Sequence, residues 1–240
     1  MTQTKVLHTE RYAQRTKITI SSCVRHVVAI TFILSGMLKG VNIDGFSQTT
    51  KEFLGLLGLN SCCCYVIAAC VCIGEIALGY TALNRKLFIH CHWAYPTVMA
   101  AFTCVTYINL NDIYGGIESC GCFGELIHFD PAQSFYKNLV LLMACVALSL
   151  HAALTSQRPE SFFAVLARQL PAIMIASALP IVYSMIFMHI ISQSAYLLIY
   201  VAICVISLAI AILYINGPRC YFSQIAFLWD FSNLYLMRRR

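Results

Sequence analysis

The sequence predicts an all-α fold, a polytopic helical bundle that lives in a membrane. Three observations predict it: the composition, the spacing of the apolar windows and the placement of the basic residues. Of 240 residues, 60% are hydrophobic and 11% charged, and the mean hydropathy is +0.75. Soluble chains carry about 25% charged residues. With less than half of that, this chain cannot clothe a water-facing surface, so the lipid bilayer is the solvent for most of it and its first partner. The same composition excludes a disordered tail, a coiled coil and a collagen-like repeat. The formal charge of +6 is not gathered into a basic stripe with interleaved aromatics, so no nucleic acid partner is expected.

Apolar windows close to the ~20 residues needed to cross a bilayer fall at 18–38, 61–83, 90–110, 135–154, 170–192 and 195–215. Six spans are therefore expected. Residues 39–60 part the first two, Asn84-Arg85-Lys86 the next pair, 111–131 the third and fourth, 155–168 the fourth and fifth, and Gln193-Ser194 the last two. Asn216-Gly217-Pro218 closes the sixth, since a Gly followed by Pro stops a helix. The first 17 residues are polar and no small-residue cleavage site follows the first window, so that span reads as an uncleaved anchor. Phe53-Leu54-Gly55-Leu56-Leu57 and the tail from Tyr221 to Met237 carry apolar faces too short or too polar to span. Each reads either as an interfacial helix or as a helix packed on the bundle.

Orientation follows from Lys and Arg, which cytoplasmic loops retain. Lys5, Arg11, Arg15 and Lys17, then Arg85 and Lys86, Arg158 and Arg168, and Arg219, Arg238, Arg239 and Arg240 all fall on one side of a six-span chain. Lys39, Lys51 and Lys137 fall on the other, and Arg25 lies within a span. Both termini are thus expected in the cytoplasm, and the loop with Asp112, Glu118, Glu125 and Asp130 outside.

Thirteen cysteines are many, but a free Cys in a span is a small apolar residue. Cys23, Cys70, Cys72, Cys145 and Cys204 read that way. Ser119-Cys120-Gly121-Cys122-Phe123-Gly124, in the outward acidic loop, differs. Two thiols flanking one Gly can join only if the chain bends to bring their Cα atoms within about 4.4–6.8 Å, and Gly permits the bend. A ring so small favours a labile, exchanging disulfide over a static one, on the oxidising side where such bonds persist. Lys39 and Lys137, at the outer ends of their spans, could stabilise a thiolate there, while the loop carboxylates oppose it. A structural bridge and a metal site with His128 remain as alternatives for the pair; no metal is expected. Cys62-Cys63-Cys64, at the outer end of the second span, form a candidate second thiol cluster, with a fortuitous packing run as the plainer reading. His90-Cys91-His92 reads as the interfacial start of the third span.

A charge inside the bilayer costs about 2.5–3.5 kcal/mol on insertion scales and is usually paired or functional. Arg25 stands seven residues into the first span and Glu75 eight from the cytoplasmic end of the second. At 1.5 Å per residue both are roughly 10–12 Å deep, so an Arg25–Glu75 pair is expected, with a quinone head-group site or a proton path as the sharper alternative.

Taken together, Arg25 through Ser35-Gly36 to Lys39, Glu75 followed by Leu78-Gly79, Cys120-Gly121-Cys122-Phe123-Gly124 and the Lys137-Asn138 helix start resemble the MauE/DoxX group of redox-associated membrane proteins over about residues 18–154. The CGCFG run is the more specific part. The resemblance implies a four-helix DoxX-like core in a bacterial inner membrane, with the Cys120–Cys122 loop periplasmic. It makes those two cysteines the catalytic redox pair and Arg25, Lys39 and Glu75 supporting polar residues, to which the reading of the spans adds Lys137. The MauE branch is associated with methylamine utilisation, where its members are thought to assist disulfide formation in, or maturation of, methylamine dehydrogenase.

The expected organisation is a cytoplasmic segment 1–17, the four-helix domain 18–154, a further transmembrane hairpin 155–215 that departs from the family pattern, and a basic aromatic tail 216–240. The expected function is disulfide exchange with an extracytoplasmic or thioredoxin-like protein, a thiol-disulfide oxidoreductase activity whose electrons pass to that partner or to a membrane quinone. The rivals are a non-catalytic assembly or anchoring subunit with a structural bridge, and a small-molecule carrier using Arg25, Glu75 and helices broken at Pro96, Pro171 and Pro180.

Overall fold

The computed structural model describes residues 2–56, 63–111, 130–155 and 162–213, with side chains for 20–55, 63–111, 130–155 and 166–213. Every element among them is helical: α1 (Thr2–Val41), α2 (Ile43–Leu56), α3 (Cys64–Leu83), α4 (Arg85–Cys91), α5 (Ala94–Leu110), α6 (Pro131–Thr155), α7 (Phe162–Phe187) and α8 (Gln193–Leu213). Five of them, from Ile20–Val41 of α1, α3, α6, Leu166–Phe187 of α7, and α8, are long and apolar enough to cross a membrane. The window expected at 90–110 is α5, whose 17 residues stand at the lower limit of spanning length. The bundle presents Ile20, Val27, Val140, Leu154, Leu198 and many other large apolar side chains outward, as lipid requires.

Two antiparallel pairs organise the bundle. In α1 and α3, Gly36 and Gly79 bring the backbones together. A Cβ on Gly36 would lie 2.7 Å from the Cys72 carbonyl oxygen, and one on Gly79 would lie 2.8 Å from that of Ala29. These two contacts fix the register, with Gly36 level with Glu75 and the Arg25 end of α1 level with Leu83. In α5 and α6, Thr106 meets Asn138 at one end, and the Ser149 hydroxyl donates to the His92 carbonyl at 2.6 Å at the other. The pairs join through α1 and α6.

The chain between the spans follows local chemistry. Asn42 opens α2, its side-chain oxygen accepting from the Gly45 amide at 3.1 Å. Asn84 opens α4 by accepting from the amides of Lys86 and Leu87. The apolar stretch expected at 53–57 ends α2, which packs on α3 and sends Phe46 against the core, while Phe53 and Leu54 are half-buried and Gly55 is exposed. Residues 90–92 close α4 instead of opening the third span, which starts at Ala94; a two-residue turn separates them. Pro96 sits in the first turn of α5, where a missing N–H is harmless. Pro171 and Pro180 lie inside α7 without ending it, so the broken helices of the carrier reading are not found at these positions.

The hairpin α7–α8 shares its core with α1 and α3. Ile173, Ala176, Ile181 and Ala211 belong to one buried cluster with Ile33, Cys72 and Ile76. The Tyr200 hydroxyl donates to the Met37 carbonyl at 2.7 Å, and that of Tyr196 to the Val41 carbonyl at 2.8 Å, both on the last turns of α1.

Candidate functional site

The polar centre of the bundle is the ion pair between Lys39 Nζ and Glu75 Oε1, with side chains only 3% and 2% exposed. Lys39 is further held by Ser35, one turn back on α1, whose hydroxyl oxygen accepts from Nζ at 3.1 Å. Two aromatic faces lie beside it, Phe102 of α5 at 4.7 Å and Phe46 of α2 at 5.5 Å from ring centroid to Nζ. A carboxylate, a hydroxyl and two ring faces together replace the water that an ammonium loses on burial. The carboxylate is less well served. Glu75 Oε2 is buried and has no hydrogen-bond partner among the described residues.

The pair opens onto a cleft between the α1–α3 and α5–α6 pairs. Thr31, Phe32 and Ser35 of α1, Met99 and Phe102 of α5, and Lys137, Asn138 and Leu141 of α6 line it together with Lys39 and Glu75. It is a narrow slot, partly open at its mouth. Two cationic side chains, one carboxylate, one carboxamide and the hydroxyl residues Thr31 and Ser35 thus line a slot whose other walls are apolar.

Of the residues singled out from sequence, Lys39, Glu75 and Lys137 come together here and Arg25 does not. The expected Arg25–Glu75 pair is wrong. Arg25 Nη1 donates to the carbonyls of Ala82 and, at 2.8 Å, Leu83, capping the last turn of α3. The register set by Gly36 and Gly79 puts Arg25 at that helix end and lifts Glu75 to the level of Lys39. Depths counted from window edges missed this, because α1 continues far beyond its apolar stretch. Asn138, Phe102 and Met99 were not picked out as site residues. Asn138 carried the same signal as Glu75, a polar group inside an apolar run, while Met99 and Phe102 are ordinary apolar residues at i, i+3 spacing and gave none.

Cys120 and Cys122 lie outside the described residues, as does Cys62. Asn111 and Asp130, the described residues on either side of the CGCFG segment, stand at the same end of the bundle as Lys39, Lys137 and Asn138, where α5 stops and α6 starts. Cys63 is exposed and Cys64 buried at the start of α3, and both are free thiols. Among the span cysteines, Cys72 and Cys145 are buried in the cores, whereas Cys23 and Cys70 face outward. No group of three or more His, Cys, Asp or Glu side chains poised for a metal occurs among the described residues.

An all-helical bundle with several spans and a buried charged cleft defines a polytopic membrane protein. Residues 17–151 match the family of methylamine utilisation protein MauE, and the chain belongs to that family. It is also similar to Protein TlpB of Flavobacterium psychrophilum, 31% identical over 136 residues, which cover 52% of this chain and 35% of that protein. The chain therefore spans about a third of the length of that relative. No solved structure matches it.

Proposed function

We propose that the protein is a thiol-disulfide redox protein of the bacterial inner membrane, in which Cys120 and Cys122 exchange a disulfide with an extracytoplasmic protein dithiol. Both termini lie in the cytoplasm on this reading, and the loop of residues 112–129 faces the periplasm. A partner thiolate attacks one sulfur of the Cys120–Cys122 bond, giving a mixed disulfide. The partner's second thiolate then displaces the chain's sulfur, leaving the partner oxidised and Cys120 and Cys122 as a dithiol. Two electrons and two protons pass to this chain, and a second two-electron acceptor restores it.

One observation carries the reading. The segment that holds both thiols is tethered between the ends of α5 and α6 that frame the charged cleft. Lys39 and Lys137 lie there, and positive charge near a thiol favours its reactive thiolate. Family membership supports a role in maturation of a partner, and thiol exchange is the chemistry by which a CxC loop would serve it.

Thiol labelling across graded glutathione buffers tests the proposal. Cys120 and Cys122 should titrate together under mild reductant, and the Cys122→Ser and Cys120→Ser single variants should each leave a thiol, one of which traps the partner covalently. A bridge that resists mild reductant, with normal partner maturation in the Cys120→Ser, Cys122→Ser protein, would instead mark an assembly or anchoring subunit.

A further inference from the structure

We infer that three arginines, Arg25, Arg85 and Arg168, form a binding corner for the phosphate of an anionic phospholipid at the end of the bundle opposite Lys39. The inference makes no use of the thiol chemistry proposed above. The three come from three elements and meet where α3 stops. Arg25 of α1 caps the carbonyls of Ala82 and Leu83 through Nη1, one nitrogen of a group with five N–H donors. Asn84 follows, and its side-chain amide donates to Gln169 Oε1 of α7 at 3.0 Å. Arg85, next along the chain from Asn84, and Arg168, next to Gln169, are thereby drawn to the same corner, and both are exposed. The Arg85 guanidinium stands near enough to Arg25 to act on it as a like charge.

No carboxylate offsets this charge among the described side chains at this end. Asp44, Glu52 and Asp130 stand at the other end, and Glu75 lies in the core against Lys39. Like charges held together repel, and an anion between them turns the repulsion into attraction. Guanidinium groups suit a phosphate, whose oxygens they take in pairs. The neighbouring surface selects a lipid phosphate over one in solution. Val27 and Leu170, two residues on from Arg25 and Arg168, are exposed apolar side chains, so the corner borders hydrocarbon. α4 buries Leu87 and Phe88 against the bundle and leaves Arg85 and Lys86 exposed. Trp93, just beyond α4, is exposed too, in the manner of tryptophan at a membrane interface. A phospholipid meets both halves of such a corner, the cations with its head group and the apolar border with its acyl chains.

The test uses the full chain in micelles of an uncharged detergent, with phosphatidylglycerol, cardiolipin or phosphatidylcholine added and the retained lipid counted by native mass spectrometry. Saturable retention of one anionic lipid per chain is expected, with phosphatidylcholine held far more weakly. Arg85→Gln and Arg168→Gln should each weaken retention about fivefold, the weight of one cation at a lipid surface. Both side chains are exposed, so the helical circular-dichroism spectrum should be unchanged in these variants. Lys51→Gln removes a cation of α2 at the other end and should leave retention as it was. Equal retention of phosphatidylcholine, affinity indifferent to both arginine replacements, or an equal loss in Lys51→Gln overturns the site. Release of the lipid by excess inorganic phosphate overturns the assignment to a lipid and marks a site for a soluble anion.

Discussion

Removing Lys39 while keeping Glu75 is the most informative single perturbation of this fold. In the Lys39→Met protein, Glu75 Oε1 loses its partner, joining Oε2, which has none among the described residues. A side chain that is 2% exposed on α3 then carries an uncompensated carboxylate, and breaking a buried pair from one side costs about 3–5 kcal/mol. The converse change is milder. In Glu75→Leu, Lys39 keeps the Ser35 hydroxyl and both aromatic faces, and it stands two residues from the end of α1, near enough to reach the interface along its own aliphatic stem. About 1–3 kcal/mol is expected there, the cost of leaving a buried polar group incompletely served. Lys39→Met with Glu75→Leu fills the same space without charge and should fall within about 1 kcal/mol of the parent protein, since apolar replacement of a buried pair is often neutral or better. Equilibrium unfolding of all four proteins in mixed micelles with graded denaturing detergent measures the cycle. Additive losses in the double variant, or a loss below about 1 kcal/mol in Lys39→Met, would refute the claim that the two charges neutralise each other in the core.

Two further outcomes test the frame around the pair. Gly79→Ala sets a methyl 2.8 Å from the Ala29 carbonyl oxygen and 2.9 Å from the Ile33 amide nitrogen, both backbone atoms. α1 must retreat, at about 1–3 kcal/mol as for other overpacked cores, and the same unfolding titration should show the loss. Arg25→Met strips the cap from the Ala82 and Leu83 carbonyls at the end of α3. Hydrogen exchange of the amides from Asn84 to Leu87 should rise in that variant, and rise less in Arg25→Lys, whose point charge still reaches one carbonyl.

The helical, multi-spanning fold and the family were legible because lipid imposes long apolar runs that composition cannot disguise, and because CGCFG is an uncommon string. The partner of Glu75 was not. Pairing within a membrane is decided by helix register, and register here is decided by Gly36 and Gly79, two positions whose meaning appears only when their neighbours are known. Lys39 was singled out as a support for the thiol loop, and Glu75 as a charge in need of a partner. The close approach at these glycines brings the two together. α2 and α4 were obscured for another reason. Each is held by an Asn cap and by packing on α3 or the neighbouring spans, and neither signal has the length of a span.

The hydroxyls of Tyr196 and Tyr200 fasten α8 to the final turns of α1, a joint between residues more than 150 positions apart. The family match stops at residue 151, yet this joint braces the very turn that carries Lys39. The last hairpin is thus a splint for the charged cleft more than an appendage. A chimaera that borrowed another protein's terminal helices would need two donors at the same heights, or the ammonium would drift from its carboxylate.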